Sequence, residues 1–148
     1  MDRAVTDDLL AELADVVLRI AREVDPNGAR LPEVVPLTGT EALVMRWVDR
    51  NPGSTPSAVA DATALKRSNT SVALGSLVAK GMVERRPHPE DARTVQLFST
   101  PLAGQSIARL HAHWSGVLRS ALAGDERDVD ATVALLTRID AGLRDAGR

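Results

Sequence analysis

The sequence predicts a mainly α-helical fold that carries one small β-hairpin, an α+β arrangement. Across most of the 148 residues, apolar side chains recur at the three- and four-residue spacing of helices buried on one face. Two short segments, 82–86 and 94–98, instead alternate in the manner of strands, and the Pro-containing residues between them predict a hairpin tip. Capping residues and Gly or Pro stops divide the rest into six helices.

The first helix is predicted from about Thr6 to Val24, and 25–28, with its Pro and Gly, ends it. Its apolar face consists of Leu9, Leu13, Val16, Val17, Ile20 and Val24. A loop with two prolines leads to the second helix. Thr38 and Glu41 have the spacing of a capping box, so this helix is expected to begin there. Its apolar face consists of Leu43, Val44, Trp47 and Val48, and it ends at Asn51-Pro52-Gly53.

The third and fourth helices are short and close together. Thr55 is expected to cap the third helix, with Pro56 at its first position. The fourth is predicted from about Arg67 to Lys80, and Gly81 follows it at the position where a left-handed residue ends a helix. Its predicted buried stripe consists of Thr70, Leu74, Leu77 and Val78.

Two long amphipathic helices follow the hairpin. Thr100-Pro101 opens the fifth helix, and Ala123-Gly124 breaks it. Asp125 is expected to cap the sixth helix, in which Val129, Val133, Leu136, Ile139 and Leu143 share one face. The first, fifth and sixth helices have few neighbours in the chain to cover their apolar faces. A homodimer in which these three helices interlock is therefore expected.

Composition narrows the class of protein. The sequence contains no cysteine, which excludes disulfides and thiolate metal sites. It shows neither a signal peptide nor an apolar run long enough to span a membrane, so a cytoplasmic location and no membrane partner are expected. With one Phe, two Trp and no Tyr, recognition of RNA by stacking on an aromatic sheet is disfavoured.

The charge is unevenly distributed along the chain. The formal net charge is −2, yet residues 62–93 contain six Lys or Arg against three Asp or Glu. Residues 1–37 contain four Arg against eight Asp or Glu. The positive charge is thus concentrated in the fourth helix and the hairpin, as expected for a nucleic-acid-binding surface.

The second to fourth helices and the hairpin together indicate a winged helix-turn-helix. Six segments in and beside it form a recognisable series: Leu37-Thr38, Asn51-Pro52-Gly53-Ser54-Thr55, Leu65-Lys66-Arg67-Ser68-Asn69, Leu77 to Arg85, Asp91-Ala92-Arg93 and Ser99 to Gly104. In these segments the sequence resembles the MarR family of bacterial transcriptional regulators. The resemblance implies one domain over 1–148, with a DNA-binding lobe at 37–100 and dimerisation helices at 1–36 and 101–148. It further implies a repressor that binds a palindromic operator in double-stranded DNA and is released by a small amphipathic ligand.

The candidate DNA-binding residues lie at the start of the fourth helix and in the wing. They are Lys66, Arg67, Ser68, Asn69, Ser71, Val72, Arg85, Arg86 and Arg93. A helix N-terminus favours phosphate, and Arg or Asn side chains can pair with base edges in the major groove. Of Arg85 and Arg86, one is expected to face DNA or Asp91 and the other solvent. The alternative is an ordinary solvated helix start, and Val72 either meets a thymine methyl or packs at the helix edge.

The resemblance also implies a role for Asp91, namely to orient a wing arginine through a charge-assisted bond. The alternative is a surface ion pair.

Candidates for the ligand pocket are Trp47, His111 and Trp114. The alternative is that the tryptophans belong to the core and that the imidazole lies at the surface. No catalytic motif, metal-ligand spacing or cofactor fingerprint is present, so neither an enzyme nor a cofactor is expected. A winged-helix interaction scaffold without operator binding is the alternative function.

Overall fold

A computed structural model describes residues 5–25 and 30–146. The elements in order are α1 (Asp7–Val24), α2 (Gly39–Arg50), α3 (Pro56–Thr63), α4 (Arg67–Ala79), β1 (Val83–Pro87), β2 (Val95–Ser99), α5 (Pro101–Leu122) and α6 (Val129–Ala146). The predicted fold class is confirmed: six helices and a two-stranded antiparallel hairpin occur in the predicted order. Both strands begin one residue later than predicted.

The core belongs to the central lobe, where α2, α3 and α4 pack on one another and on the hairpin. Its largest fully buried side chains are Met45, Leu74, Leu77, Met82, Leu97, Val44, Val48, Val59 and Thr70. The turn before α3 forms a single β-bridge to β2, because Gly53 N–H donates to the Leu97 carbonyl (2.8 Å) and Leu97 N–H to the Ser54 carbonyl (2.9 Å). The hairpin is therefore fixed to the lobe at its base.

Threonine side chains cap four of the helices. Thr6, Thr38, Thr55 and Thr100 each accept a hydrogen bond from a backbone N–H in the first turn of α1, α2, α3 and α5, respectively. Thr38 and Glu41 form both bonds of the predicted capping box. Such caps are each worth about 1 kcal/mol. At the other end of a helix, Gly81 has the predicted left-handed conformation, with φ at 73°.

Two details of the prediction are wrong. Asp125 does not cap α6, which begins four residues later; its carboxylate instead accepts two hydrogen bonds from the Arg127 guanidinium (2.8 and 2.7 Å). That pairing lowers the pKa of Asp125 and raises that of Arg127. Val78 is exposed rather than buried, because the buried stripe of α4 is Thr70, Ala73, Leu74 and Leu77, and Val78 lies at its edge in the last turn.

The outer helices α1, α5 and α6 leave much apolar surface uncovered. No residue of α1 or α6 is buried among those described, and α5 buries only Ala103 and Ser106. The exposed apolar residues of these helices include Leu9, Leu10, Val17, Leu18, Ile20, Leu118, Leu122, Val133, Ile139 and Leu143. None of the helices in the described ranges is both long and apolar enough to cross a membrane.

Candidate nucleic-acid interface

The helix α4 has one buried face and one exposed face. Thr70, Ala73, Leu74 and Leu77 face the core, while Ser68, Ser71, Val72, Gly75 and Ala79 are exposed. The exposed residues have the spacing of a single helical face, which lies opposite the lobe core. Arg67 and Asn69 are exposed beside it at the N-terminal end. The structure thus places all six candidates of the fourth-helix segment at one accessible surface.

The N-terminus of α4 differs from those of α1, α2, α3 and α5, because no side chain caps it. Lys66 occupies the capping position and has no oxygen in its side chain to accept a backbone N–H. The first N–H groups of a helix have no intrahelical partner, and the helix dipole makes that end positive. Lys66 and Arg67 are exposed there, and neither makes an ion pair with any residue that the structure describes. Positive charge and unsatisfied donors therefore coincide at this point.

The two strand arginines have different environments. The guanidinium of Arg86 donates to both carboxylate oxygens of Glu84 (2.9 and 3.1 Å) and lies 4.4 Å from the ring centroid of Phe98. This pairing raises the pKa of Arg86 and lowers that of Glu84. Arg85 lies on the opposite face of the strand, paired with Leu97, and makes no ion pair within the described ranges. Of the two candidates, only Arg85 has an uncompensated charge.

The wing tip is ordered by Asp91, although not in the expected way. Its carboxylate accepts the backbone N–H of Arg93 and the hydroxyl of Thr94, both at 3.0 Å, and makes no bond to any guanidinium that the structure describes. Aspartate commonly bonds to the backbone two residues ahead, which stabilises a turn. The His88 N–H closes the turn by donating to the Thr94 carbonyl (2.8 Å). Asp91 therefore fixes the backbone from which Arg93 projects, and the Arg93 side chain is exposed.

A charged hydrogen-bond cluster joins α2 to the C-terminal end of α4. The Glu41 carboxylate accepts hydrogen bonds from Lys80 Nζ (2.7 Å), Ser76 Oγ (2.5 Å) and the backbone N–H of Thr38 (2.8 Å). Burial alone would raise the pKa of Glu41, but the bonds from Lys80, Ser76 and Thr38 outweigh it and lower the pKa to about 2. The cluster fixes the orientation of α4 relative to α2.

The loop before α2 is held from both sides. Ser106 of α5 is buried, and its hydroxyl accepts the Val35 backbone N–H (2.9 Å). Lys80 donates a second hydrogen bond to the carbonyl oxygen of the adjacent Pro36, also at 2.9 Å. The loop is thus attached both to a long outer helix and to the end of α4.

The candidate pocket residues separate into two places. Trp114 lines a cavity of about 250 Å³ between this loop, α2 and α5, together with Val35, Leu37, Met82, Ile107 and Leu110. His111 is exposed and its ring lies 5.6 Å from that of Trp114. Trp47 instead lines a cavity of about 520 Å³ among α2, α3 and α6. The indole N–H groups of both tryptophans are buried without a hydrogen-bond partner in the described structure.

Comparisons with known proteins identify the architecture. Residues 35–94 match the sequence profile of the MarR family. Over this segment the chain is similar to the MarR family, and its fold is that of a MarR-type winged-helix protein. A crystal structure of a MarR family transcription regulator is 26% identical to this chain, with 93% of this chain and 94% of that one covered and a TM-score of 0.66. No curated protein sequence matches it.

Two further structures of MarR-type fold contain DNA. FabT from Streptococcus pneumoniae, in complex with DNA, is 25% identical, with 95% of this chain and 96% of FabT covered and a TM-score of 0.63. The transcriptional repressor CouR, bound to a 23-mer DNA duplex, is 22% identical, with 94% and 99% covered and a TM-score of 0.64. The MarR-type fold therefore extends over almost the whole chain, including the outer helices.

Two features of this winged-helix lobe have no signal in the sequence that predicts them. Glu41 was recognised only as part of a capping box, and its bonds to Ser76 and Lys80 join residues 35 and 39 positions apart. Ser106, which holds the loop before α2, gave no local signal at all. Within the described ranges there is no group of three or more His, Cys, Asp or Glu side chains that could hold a metal ion.

Proposed function

We propose that this protein, which is similar to the MarR family, is a sequence-specific DNA-binding transcription regulator that binds a palindromic operator as a homodimer. The observation that carries the proposal is the unpaired positive charge at the uncapped N-terminus of α4, together with the exposed Arg93 of the wing. A helix enters the major groove by its N-terminal part, where its N–H groups and dipole favour phosphate. The wing arginines suit phosphate or a narrow minor groove.

The pattern of compensated and uncompensated charges supports the same proposal. Glu84 neutralises Arg86, whereas Lys66, Arg67, Arg85 and Arg93 have no carboxylate partner in the described structure. Cations held without a partner on one lobe favour binding of a polyanion, although the whole chain is slightly acidic. The DNA-bound state of FabT, a relative of similar fold, agrees with this role for the lobe.

The uncovered faces of α1, α5 and α6 support a homodimer. Exposed leucines such as Leu18 (67% exposed) and Leu143 (70%) lie on helices that have no fully buried residue within one protomer. Contiguous apolar surface of this kind is typical of an interface, and two-fold assembly is the most frequent solution. Two copies of α4 would then read two half-sites about one turn of DNA apart. DNA as the target also implies a cytoplasmic location.

We infer that the regulator acts as a repressor and that a small amphipathic molecule releases it from DNA. The cavity beside Trp114 supports this, because apolar side chains line it and it adjoins the loop that Lys80 joins to α4. A ligand of this kind would bury its apolar part there. In a thermal-shift screen, a compound that stabilises the protein yet leaves DNA affinity unchanged would argue against the release mechanism for that compound.

Selection from a pool of randomised duplexes, followed by titration of the recovered DNA, tests the DNA-binding function. We expect Arg93→Ala to lose most of the affinity for the selected duplex, because it removes the wing cation. Arg138→Ala, on α6 and outside the lobe, is the matched control and is expected to bind normally. If no duplex is enriched and the wild-type protein shows no salt-dependent DNA binding, the protein is instead an interaction scaffold.

A further inference from the structure

The exposed face of α4 changes character after its first turn. Ser68 and Ser71 supply hydroxyl groups, but the next residues on that face are Val72, Gly75 and Ala79. Val72 is 74% exposed, more than any other large apolar side chain of the described structure. Of the two alternatives left by the sequence, edge packing is therefore ruled out by exposure, since Val72 is scarcely covered.

Val72 lies on the helix face that is proposed to contact DNA, and this distinguishes it from other exposed valines. A single exposed apolar residue is ordinary on a protein surface. Val72, however, is four residues after Ser68 and five after Arg67, on the helix whose uncapped N-terminus bears the positive charge. Gly75, one turn further, has nothing within 4 Å of where a Cβ would stand, so the face stays flat beyond Val72. Short side chains here allow the helix to approach base edges closely.

The chemistry of the major groove limits what a valine can recognise there. Each base edge presents hydrogen-bond donors and acceptors, which an isopropyl group cannot engage, but thymine alone also presents a methyl group. We propose that Val72 determines part of the operator sequence by packing against the 5-methyl group of one thymine in each half-site. This inference rests on the proposed DNA-binding function and specifies which base that function selects.

Replacing single thymines by deoxyuridine tests the inference, because it removes only the 5-methyl group. In the duplex recovered from the randomised pool, each thymine is replaced in turn and the affinity of wild-type protein is measured. We expect one thymine per half-site to be sensitive, with about a fourfold loss for one methyl and about fifteenfold when both half-sites are changed. Other thymines are expected to be replaceable without loss.

Val72→Ala completes a double-mutant cycle with the DNA. The variant is expected to bind the original duplex about as weakly as wild type binds the sensitive deoxyuridine duplex, and to lose little more when the methyl is removed. Because the residue is exposed and alanine favours helix, folding is not expected to suffer. Val78→Ala, the same substitution elsewhere on α4, is the control and should retain full sensitivity to the methyl.

The possible outcomes distinguish failure of the thymine-methyl inference from failure of the proposed DNA-binding function. Coupling between Val72 and one thymine methyl per half-site supports the inference. Tight, salt-dependent DNA binding in which no deoxyuridine substitution matters, or in which Val72→Ala keeps the full methyl effect, overturns the inference and leaves the regulator function standing. Failure to bind any duplex overturns both.

Discussion

Replacing Glu41 by glutamine is expected to lower the free energy of unfolding at neutral pH. In acid, the difference in this free energy between wild type and the variant is expected to vanish. Glutamine is nearly isosteric, so the packing between α2 and α4 is retained. It nevertheless lacks the charge that holds Lys80. Its amide nitrogen can face Ser76, whose hydroxyl can turn to accept a hydrogen bond, so the main loss is the negative charge on the acceptor of Lys80 and Thr38. Hydrogen bonds to charged groups contribute about 1.5–3 kcal/mol, against about 0.5–1.5 kcal/mol for neutral ones.

The magnitude follows from the pKa of Glu41. A decrease from 4.5 to about 2 corresponds to at most about 3 kcal/mol of stabilisation by the ionised carboxylate. Lys80, its charged partner, is 32% exposed, so solvent screening reduces the contribution to about 1–2 kcal/mol. Because the folded pKa lies below the unfolded value, this stability is complete above about pH 4.5. It is lost as the pH falls through about 2.

Urea unfolding of wild type and Glu41→Gln at pH 7, 4.5, 3 and 2, at one protein concentration, measures this dependence. The difference between the two proteins is expected to be about 1–2 kcal/mol at pH 7 and to shrink as the pH approaches 2. Glu84→Gln is the control, because that carboxylate forms only an exposed pair with Arg86, and its effect should be much smaller. A wild-type advantage that stays constant down to pH 2 would refute the reasoning.

The remaining predictions concern the wing, the end of α4, the dimer and the salt dependence. Arg85→Ala is expected to weaken binding to the selected duplex more than Arg86→Ala, since Glu84 already neutralises Arg86; equal losses would contradict the assigned charges. Gly81→Ala is expected to cost about 1–2 kcal/mol of unfolding free energy because φ is 73°, whereas Gly75→Ala, in open space within a helix, should be neutral or stabilising. Leu18→Glu is expected to convert the dimer to a monomer in analytical ultracentrifugation while circular dichroism remains helical, and an unchanged mass would exclude α1 from the interface. The slope of log affinity against log salt should be about −4 if two of the four candidate cations Lys66, Arg67, Arg85 and Arg93 in each protomer of the proposed dimer touch phosphate, and a slope near zero would exclude the interface.

The elements of the fold were predictable because their signals are local. Thr38 with Glu41, and Gly81 after α4, mark helix ends through bonds or backbone angles that involve only a few neighbouring residues. The error at Asp125 shows the limit of such signals, because the carboxylate found a stronger partner in Arg127 than the backbone of a helix that starts later.

The arrangement of the candidate site was less predictable. It depends on which side chains form ion pairs and hydrogen bonds with one another, and residue type and spacing do not determine that choice. Residue type alone could not show that Arg86 is neutralised by Glu84 while Arg85 is not. Nor could it show that Asp91 bonds to the wing backbone rather than to a guanidinium. Residues distant in sequence, such as Glu41 and Lys80, are brought together only by the packing of α2 on α4. The six candidates of the fourth-helix segment could be found together because they lie close in sequence, between Lys66 and Val72.

The loop before α2 couples the orientation of α5 to that of α4. Val35 is bonded to Ser106 on α5, and the neighbouring Pro36 is bonded to Lys80 at the end of α4. A rotation of the outer helix relative to the lobe must either carry the loop and α4 with it or lengthen one of these 2.9 Å bonds. In the proposed dimer, the distance between the two copies of α4 would then be set partly by the two-residue segment Val35-Pro36.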